Sequence, residues 1–245
     1  MSRSKKKQKC NRYRNHQDQA REHLTVVNTS YDRALPRVIP RNIKQDELLG
    51  FLNDDSINVV FAVGPAGTGK TMLSTLAGIT AMKKNKISKF VVTRPAVCVD
   101  EDHGFLPGDL NQKMAPWMLP IFDVFEEYWS ASTIEYFLGS NRIEIAPLAY
   151  MRGRTFKDSY IILDEAQNTT PEQMKMMLTR IGDGSKLVVT GDIQQHDRGF
   201  ENNGLLDFME RLTASQSDRI KLVQFTKDDV ERHPVVKEVL EMYDD

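Results

Sequence analysis

Cysteine is nearly missing from this chain: Cys10 and Cys98 are the only two in 245 residues. They lie far apart and one sits in a basic segment, so neither a disulfide framework nor a cysteine-based zinc site follows, and a reducing, cytoplasmic setting is expected. No apolar run approaches the ~20 residues needed to span a bilayer, so a membrane role is not expected. The opening MSRSKKKQKC lacks the apolar segment of a signal peptide, so export is not expected either. Internal repeats are absent, and no long low-complexity segment occurs beyond the basic start. Acids are also absent before Asp18, whereas Arg3, Lys5, Lys6, Lys7, Lys9, Arg12 and Arg14 fill that stretch. Such an arm reads equally as a grip on nucleic-acid phosphates and as a solvated tail. The formal net charge of −1 hides this asymmetry, because acids gather at the other end.

What is present fits one α/β domain with an extension: a basic, flexible 1–40 and a folded 41–245. Apolar strand candidates occur at Ile57–Val63, Lys89–Thr93, Arg142–Ala146, Tyr160–Leu163, Leu187–Thr190 and Ile220–Phe225. Helical stretches fall between them, near Ile43–Leu52, Thr71–Lys84, Leu110–Trp129, Pro171–Ile181, Gly204–Leu212 and Pro234–Tyr243. Pro171 suits a first helical turn and Thr170 its N-cap. Alternation of this kind implies a mostly parallel sheet sandwiched by helices. Pro116 and Pro120 speak against one straight helix over Leu110–Trp129. Its aromatics, Trp117, Phe122, Phe125, Tyr128 and Trp129, read as core or subunit interface in preference to base-stacking platforms.

The run Val59–Val63 breaks into Gly64-Pro65-Ala66-Gly67-Thr68-Gly69-Lys70-Thr71 and continues as a helix. Strand, glycine-rich loop, then helix is the context a GxxxxGK[ST] pattern requires. The glycines let successive N–H groups point at phosphate oxygens, and the helix adds its positive end. Lys70 can reach the β- and γ-phosphates, and the Thr71 hydroxyl is placed for Mg²⁺. A nucleoside-triphosphate site is expected.

Tyr160–Leu163 ends in Asp164-Glu165. Asp164 is expected beside the phosphate loop, holding Mg²⁺ through water, and Glu165 is expected to orient or deprotonate an attacking water. At the end of another strand, Thr190-Gly191-Asp192-Ile193-Gln194-Gln195 offers Gln195, or less readily Gln194, as a γ-phosphate contact. The loop Asp100–His103 reads as solvated rather than metal-binding, and His196 and His233 receive no role.

In order, GPAGTGKT, TRPAV (Thr93–Val97), LDEAQ (Leu163–Gln167) and TGDIQQ (Thr190–Gln195) resemble the first RecA-like domain of superfamily 1 helicases. With GFLPGDL (Gly104–Leu110), PLAYMRGRTF (Pro147–Phe156), the Asp164–Gly182 segment and RHPVV (Arg232–Val236), the chain is more closely similar to the phosphate-starvation-inducible PhoH-like ATPases over about residues 42–243. That resemblance implies a single RecA-like P-loop NTPase domain, ATP and Mg²⁺ as cofactors, and RNA or single-stranded DNA as partner. It makes Gln45 the adenine-side contact, Gly64 to Thr71 the phosphate cradle, Asp164 and Glu165 the metal and catalytic acids, and Gln195 the γ-phosphate sensor. Arg94 and Arg152 become nucleic-acid contacts.

About fifty residues follow Gln195. That is too few for the second helicase domain that supplies an arginine to the ATP site, and no fused nuclease is expected. Such an arginine is often worth ~10³-fold or more in rate. A homo-oligomeric ring with ATP at subunit borders is therefore expected, with Arg232 as the catalytic finger, Arg154 and Arg198 as further candidates and Arg152 less favoured. Two other functions stand beside the polymer-coupled ATPase: an assembly module held together by bound ATP, and a small-molecule kinase, against which Glu165 and TGDIQQ argue.

Overall fold

The computed structural model describes residues 34–95, 110–195, 203–215 and 217–231, with Val235 and Met242; the side chains of 110–117 lie outside that set. In chain order the elements are α1 (Ile43–Asn53), β1 (Val59–Val63), α2 (Lys70–Lys83), β2 (Lys89–Arg94), α3 (Leu110–Glu126), α4 (Ala131–Gly139), β3 (Ile143–Pro147), β4 (Ser159–Leu163), α5 (Pro171–Leu178), β5 (Lys186–Gly191), α6 (Gly204–Thr213) and β6 (Ile220–Gln224). The six strands form one sheet ordered β3-β2-β4-β5-β1-β6, and every pairing is parallel.

These strands are near-continuous apolar runs because a parallel sheet is covered on both faces. Alternate residues divide between two cores. Val60, Ala62, Phe90, Val92, Tyr160, Ile162 and Val188 pack with α1 to α4 on one side. Val59, Phe61, Val91, Ile161, Leu163, Leu187 and Val189 pack with α5, α6 and the loop helices on the other. Gly78 of α2 lies so close to the sheet that a Cβ there would run into the Phe90 ring. Helix α5 opens with Pro171 and a full capping box, in which Thr170 and Gln173 satisfy each other's backbone N–H groups.

Two expectations need correction. Helix α3 is one continuous element from Leu110 to Glu126 despite Pro116 and Pro120. Its buried Met118, Ile121, Val124 and Phe125 form a stripe at helical spacing, whose packing outweighs the missing backbone hydrogen bonds. Helix α4 has no counterpart among the expected helices; it starts at the Ser130 cap and ends at Gly139. Of the expected aromatics, Phe125 and Trp129 are buried in the core and Phe122 and Tyr128 pack against it, while the Trp117 side chain lies outside the described residues. The expected helix Pro234–Tyr243 lies almost wholly outside the described residues, as do the basic arm, Asp100–His103, Arg198 and Arg232. Among the described residues no helix is long and apolar enough to cross a membrane.

Register places the carboxyl ends of β1, β2, β4 and β5 in one row: Thr93 pairs with Leu163, Leu163 with Val189, and Val63 with Gly191. The phosphate loop, Arg94, Asp164, Glu165 and Gln195 lie at those four ends, whereas Gln45 is on α1 and Arg152 follows β3. A hollow of about 340 Å³, lined by Asn53, Lys84, Tyr160 and Lys186 among others, opens near the opposite, amino ends of the strands. The row of strand ends is the better candidate site, because converging backbone and charge rather than enclosed volume define a phosphate site.

Candidate nucleotide site

The loop from Gly64 to Gly69 turns through three glycines of positive φ, 145° at Gly64, 84° at Gly67 and 85° at Gly69. At Gly64 a side chain would also collide with the Phe225 carbonyl just beyond β6. Both sides of the loop are tethered. On one, the Phe225 N–H donates to the Val63 carbonyl at 2.8 Å and the Glu231 N–H to the Gly67 carbonyl at 3.0 Å. On the other, Gln45 Nε2 of α1 donates to the Thr68 carbonyl at 3.1 Å, while its Oε1 accepts the Arg41 N–H at 2.9 Å. Gln45 is thus buried, with one hydrogen bond made at each end of its amide.

Lys70 begins α2 and curls over the loop. Its ammonium donates to the Gly64 carbonyl at 2.6 Å, the Pro65 carbonyl at 2.7 Å and Thr68 Oγ1 at 3.2 Å. Burial pulls the ammonium below its ordinary pKa, and Asp192, Asp164 and Glu165 pull the other way. A cation fixed among backbone carbonyls, with three acids nearby, is suited to meeting a triphosphate.

Asp164 follows β4, and its N–H is fixed by the Thr93 carbonyl at 2.9 Å. Its Oδ1 accepts from Thr71 Oγ1 at 3.0 Å and from Thr190 Oγ1. Strand β5 separates the phosphate-loop strand from the carboxylate strand, so Thr190 bridges that gap. A hydroxyl and a carboxylate oxygen in contact suit Mg²⁺, which retains waters and takes phosphate oxygens as remaining ligands. Such a site needs no further protein ligands, and among the described residues no cluster of three or more His, Cys, Asp or Glu side chains able to hold a metal occurs.

Glu165 has a left-handed backbone, φ 52°. That conformation costs a non-glycine residue ~1–3 kcal/mol and persists only where its surroundings enforce it. Its Oε2 accepts from Gln167 Nε2 at 2.5 Å, and its Oε1 lies 3.5 Å from Arg94 Nη2. Gln167 Oε1 in turn accepts the Asp192 N–H at 3.0 Å, joining the acid to the end of β5. Asp192 is buried, and its Oδ1 accepts the Gln194 N–H at 3.0 Å. Gln195 sits beyond it, exposed, its N–H on the Asp192 carbonyl at 3.2 Å.

Lys70, Thr71, Asp164, Glu165 and Arg94 therefore come together in one linked group, with Gln195 following the neighbouring strand β5. Arg152 is exposed after a short helical turn beyond β3. Arg154 is held by Glu144 through both guanidinium nitrogens, which makes it a structural ion pair instead of a free finger. Sequence reasoning does not single out Thr190, Gln167 and Asp192. Their signal is their place inside TGD and DEAQ, but only the sheet order shows that they join the two strands.

A glycine-rich phosphate loop, a lysine folded over it, and an Asp–Glu pair on a strand once removed define a RecA-like P-loop nucleotide-binding protein. The family model described as PhoH-like protein matches residues 37–244, and the chain belongs to the PhoH-like family. It is 48% identical over 189 residues to the PhoH-like protein of Bacillus subtilis (strain 168), covering 76% of this chain and 58% of that one. It is 42% identical over 193 residues to Protein PhoH of Escherichia coli (strain K12), covering 77% of this chain and 54% of that one. The chain thus spans little more than half the length of these relatives. Among solved structures, the Pif1 helicase of Candida albicans aligns at 15% identity and a TM-score of 0.40, over 84% of this chain and 43% of that one.

Proposed function

We propose that the chain is a Mg²⁺-dependent ATPase whose hydrolysis is coupled to binding of RNA or single-stranded DNA. The observation that carries this reading is the 3.0 Å contact between Thr71 Oγ1 and Asp164 Oδ1, at the start of the helix whose Lys70 ammonium folds over the phosphate loop. Thr71 and Asp164 would hold the magnesium ion, which when bound supplies positive charge to the β- and γ-phosphates. The loop amides and Lys70 hold the triphosphate and meet the charge spreading over the γ-phosphoryl oxygens. Glu165 orients a water and takes its proton as the water oxygen bonds to the γ-phosphorus. The bond to the β–γ bridging oxygen breaks, and ADP and phosphate leave. Gln195 would contact the γ-phosphate, and Gln45, which anchors the loop at Thr68, would stand on the adenine side.

Arg94 and Arg152 would contact the polymer, together with the basic 1–40 segment. Arg232 from an adjacent subunit of a ring would complete the site. The ring is tested by mixing Lys70→Ala with Arg232→Ala subunits: activity regained in the mixture supports a shared site, and none regained removes it. The principal test is steady-state ATP hydrolysis without polymer, with RNA and with single-stranded DNA, with Glu165→Gln as control. Stimulation by polymer and loss of turnover in Glu165→Gln are expected. A Glu165→Gln variant turning over at the wild-type rate removes the assignment of the water-activating acid.

A further inference from the structure

The Glu165 carboxylate is held from two sides, by Gln167 at Oε2 and by the Arg94 guanidinium near Oε1, and which hold persists decides whether it can turn to an attacking water. The two partners differ in kind. Gln167 is 3% exposed, its bond to Oε2 is 2.5 Å, and its other end is fixed to the β5 backbone at Asp192. Releasing Gln167 would leave a buried amide unsatisfied. Arg94 lies 3.5 Å from Oε1, beyond hydrogen-bond length, with its side chain 25% exposed and that of Glu165 35% exposed. A half-buried pair at that separation, open to solvent on one side, is weak and easily exchanged.

Strand order gives the two contacts opposite directions. Arg94 ends β2, on the far side of β4 from the phosphate-loop strand β1, whereas Gln167 reaches toward β5, on the near side. The Arg94 contact therefore ties one carboxylate oxygen to the β2 side, and Gln167 ties the other to the β5 side, nearer the phosphate-loop strand. We propose that Arg94 is a releasable latch on Glu165, and that a backbone phosphate of a single-stranded nucleic acid opens it by taking the guanidinium. A phosphate diester offers arginine two parallel charge-assisted hydrogen bonds, a better partner than one carboxylate oxygen at 3.5 Å. Once Arg94 has left, Glu165 remains tethered by Gln167 with one oxygen free for the water. Gln167 is then a positioning residue. The inference rests on the ATPase reading above and specifies how polymer binding would control it.

The test is ATP turnover by the whole chain, wild type against Arg94→Met and Arg94→Lys. Each is assayed alone, with poly(U), with oligo(dT) and with millimolar inorganic phosphate. Without polymer, Arg94→Met is expected to turn over roughly three- to ten-fold faster than wild type, in kcat and not in KM, because the substitution removes only a weak ion pair. Added polymer should then give Arg94→Met no further gain, while Arg94→Lys keeps part of the dependence. Poly(U) or oligo(dT), and not inorganic phosphate, should stimulate the wild type. Arg94→Met no faster than wild type in the absence of polymer overturns the latch, and so does a wild type stimulated equally by inorganic phosphate. A wild type with no measurable turnover under any condition instead overturns the ATPase reading itself, whereas measurable turnover that is unchanged in Glu165→Gln removes the water-activating acid and the latch with it. Glu165-dependent turnover with a slow Arg94→Met leaves that reading intact and removes the latch alone.

Discussion

Thr190 shows how much depends on one hydroxyl. It is buried in β5, yet its Oγ1 donates to the same Asp164 oxygen that Thr71 uses. Removing it leaves Asp164 held by Thr71 alone and free to rotate out of metal-binding geometry. Thr190→Val is expected to lower kcat for ATP ~10-fold with little change in KM, and Thr190→Ser to restore most of it, read by steady-state kinetics. Glu144 makes a different point, about stability. Arg154 first, and Lys89 with it, hold its carboxyl at about 2, well below the ordinary 4.5. A folded pKa below the unfolded one stabilises the fold fully above about pH 4.5, and that contribution fades as pH falls toward 2. It amounts to no more than about 3 kcal/mol and less after solvent screening of Arg154. Glu144→Gln should therefore flatten the loss of thermal stability in this acid window while costing stability at neutral pH, as melting curves across pH would show.

Helix α1 carries its information in one side chain. Gln45 joins it to the phosphate loop at Thr68, and Asn42 caps the helix while donating to the Asp229 carbonyl at 3.2 Å. Gln45→Ala is expected to loosen the loop and raise KM for ATP roughly five- to ten-fold, with a smaller effect on kcat, because the loss falls on binding. Most elements are legible in the sequence for a simple reason. Strands buried on both faces are unbroken apolar runs between turn residues, and Thr170-Pro171 announces a helix start by its own chemistry. Helix α4 is not legible, since its nine residues offer only one helical repeat, Ile134, Phe137 and Leu138, too short to mark a helix by periodicity. The phosphate loop and Asp164-Glu165 can be read because their spacing is local. The roles of Thr190, Gln167 and Asp192 cannot, because they depend on β5 lying between β1 and β4, which is decided by packing across the whole sheet.

Over the whole molecule, the phosphate loop and the Asp164–Glu165 pair gather at the carboxyl ends of the interior strands, and a positive arm stands in a chain of net charge −1. If the arm grips polymer phosphates, deleting residues 1–20 removes the cations Arg3, Lys5, Lys6, Lys7, Lys9, Arg12 and Arg14 from the interface. The salt dependence of RNA binding should then become shallower by ~0.7 in log–log slope for each phosphate that is no longer neutralised. An unchanged slope would make the arm a solvated tail. The central claim is that Lys70, Thr71 and Asp164 enclose one magnesium-bound triphosphate, and calorimetric titration of ATP tests it most directly. Wild type should bind with Mg²⁺ and at least ~10-fold more weakly when EDTA removes it, and Lys70→Ala should show no measurable binding. Equal ATP affinity in wild type and Lys70→Ala, with or without magnesium, would contradict it.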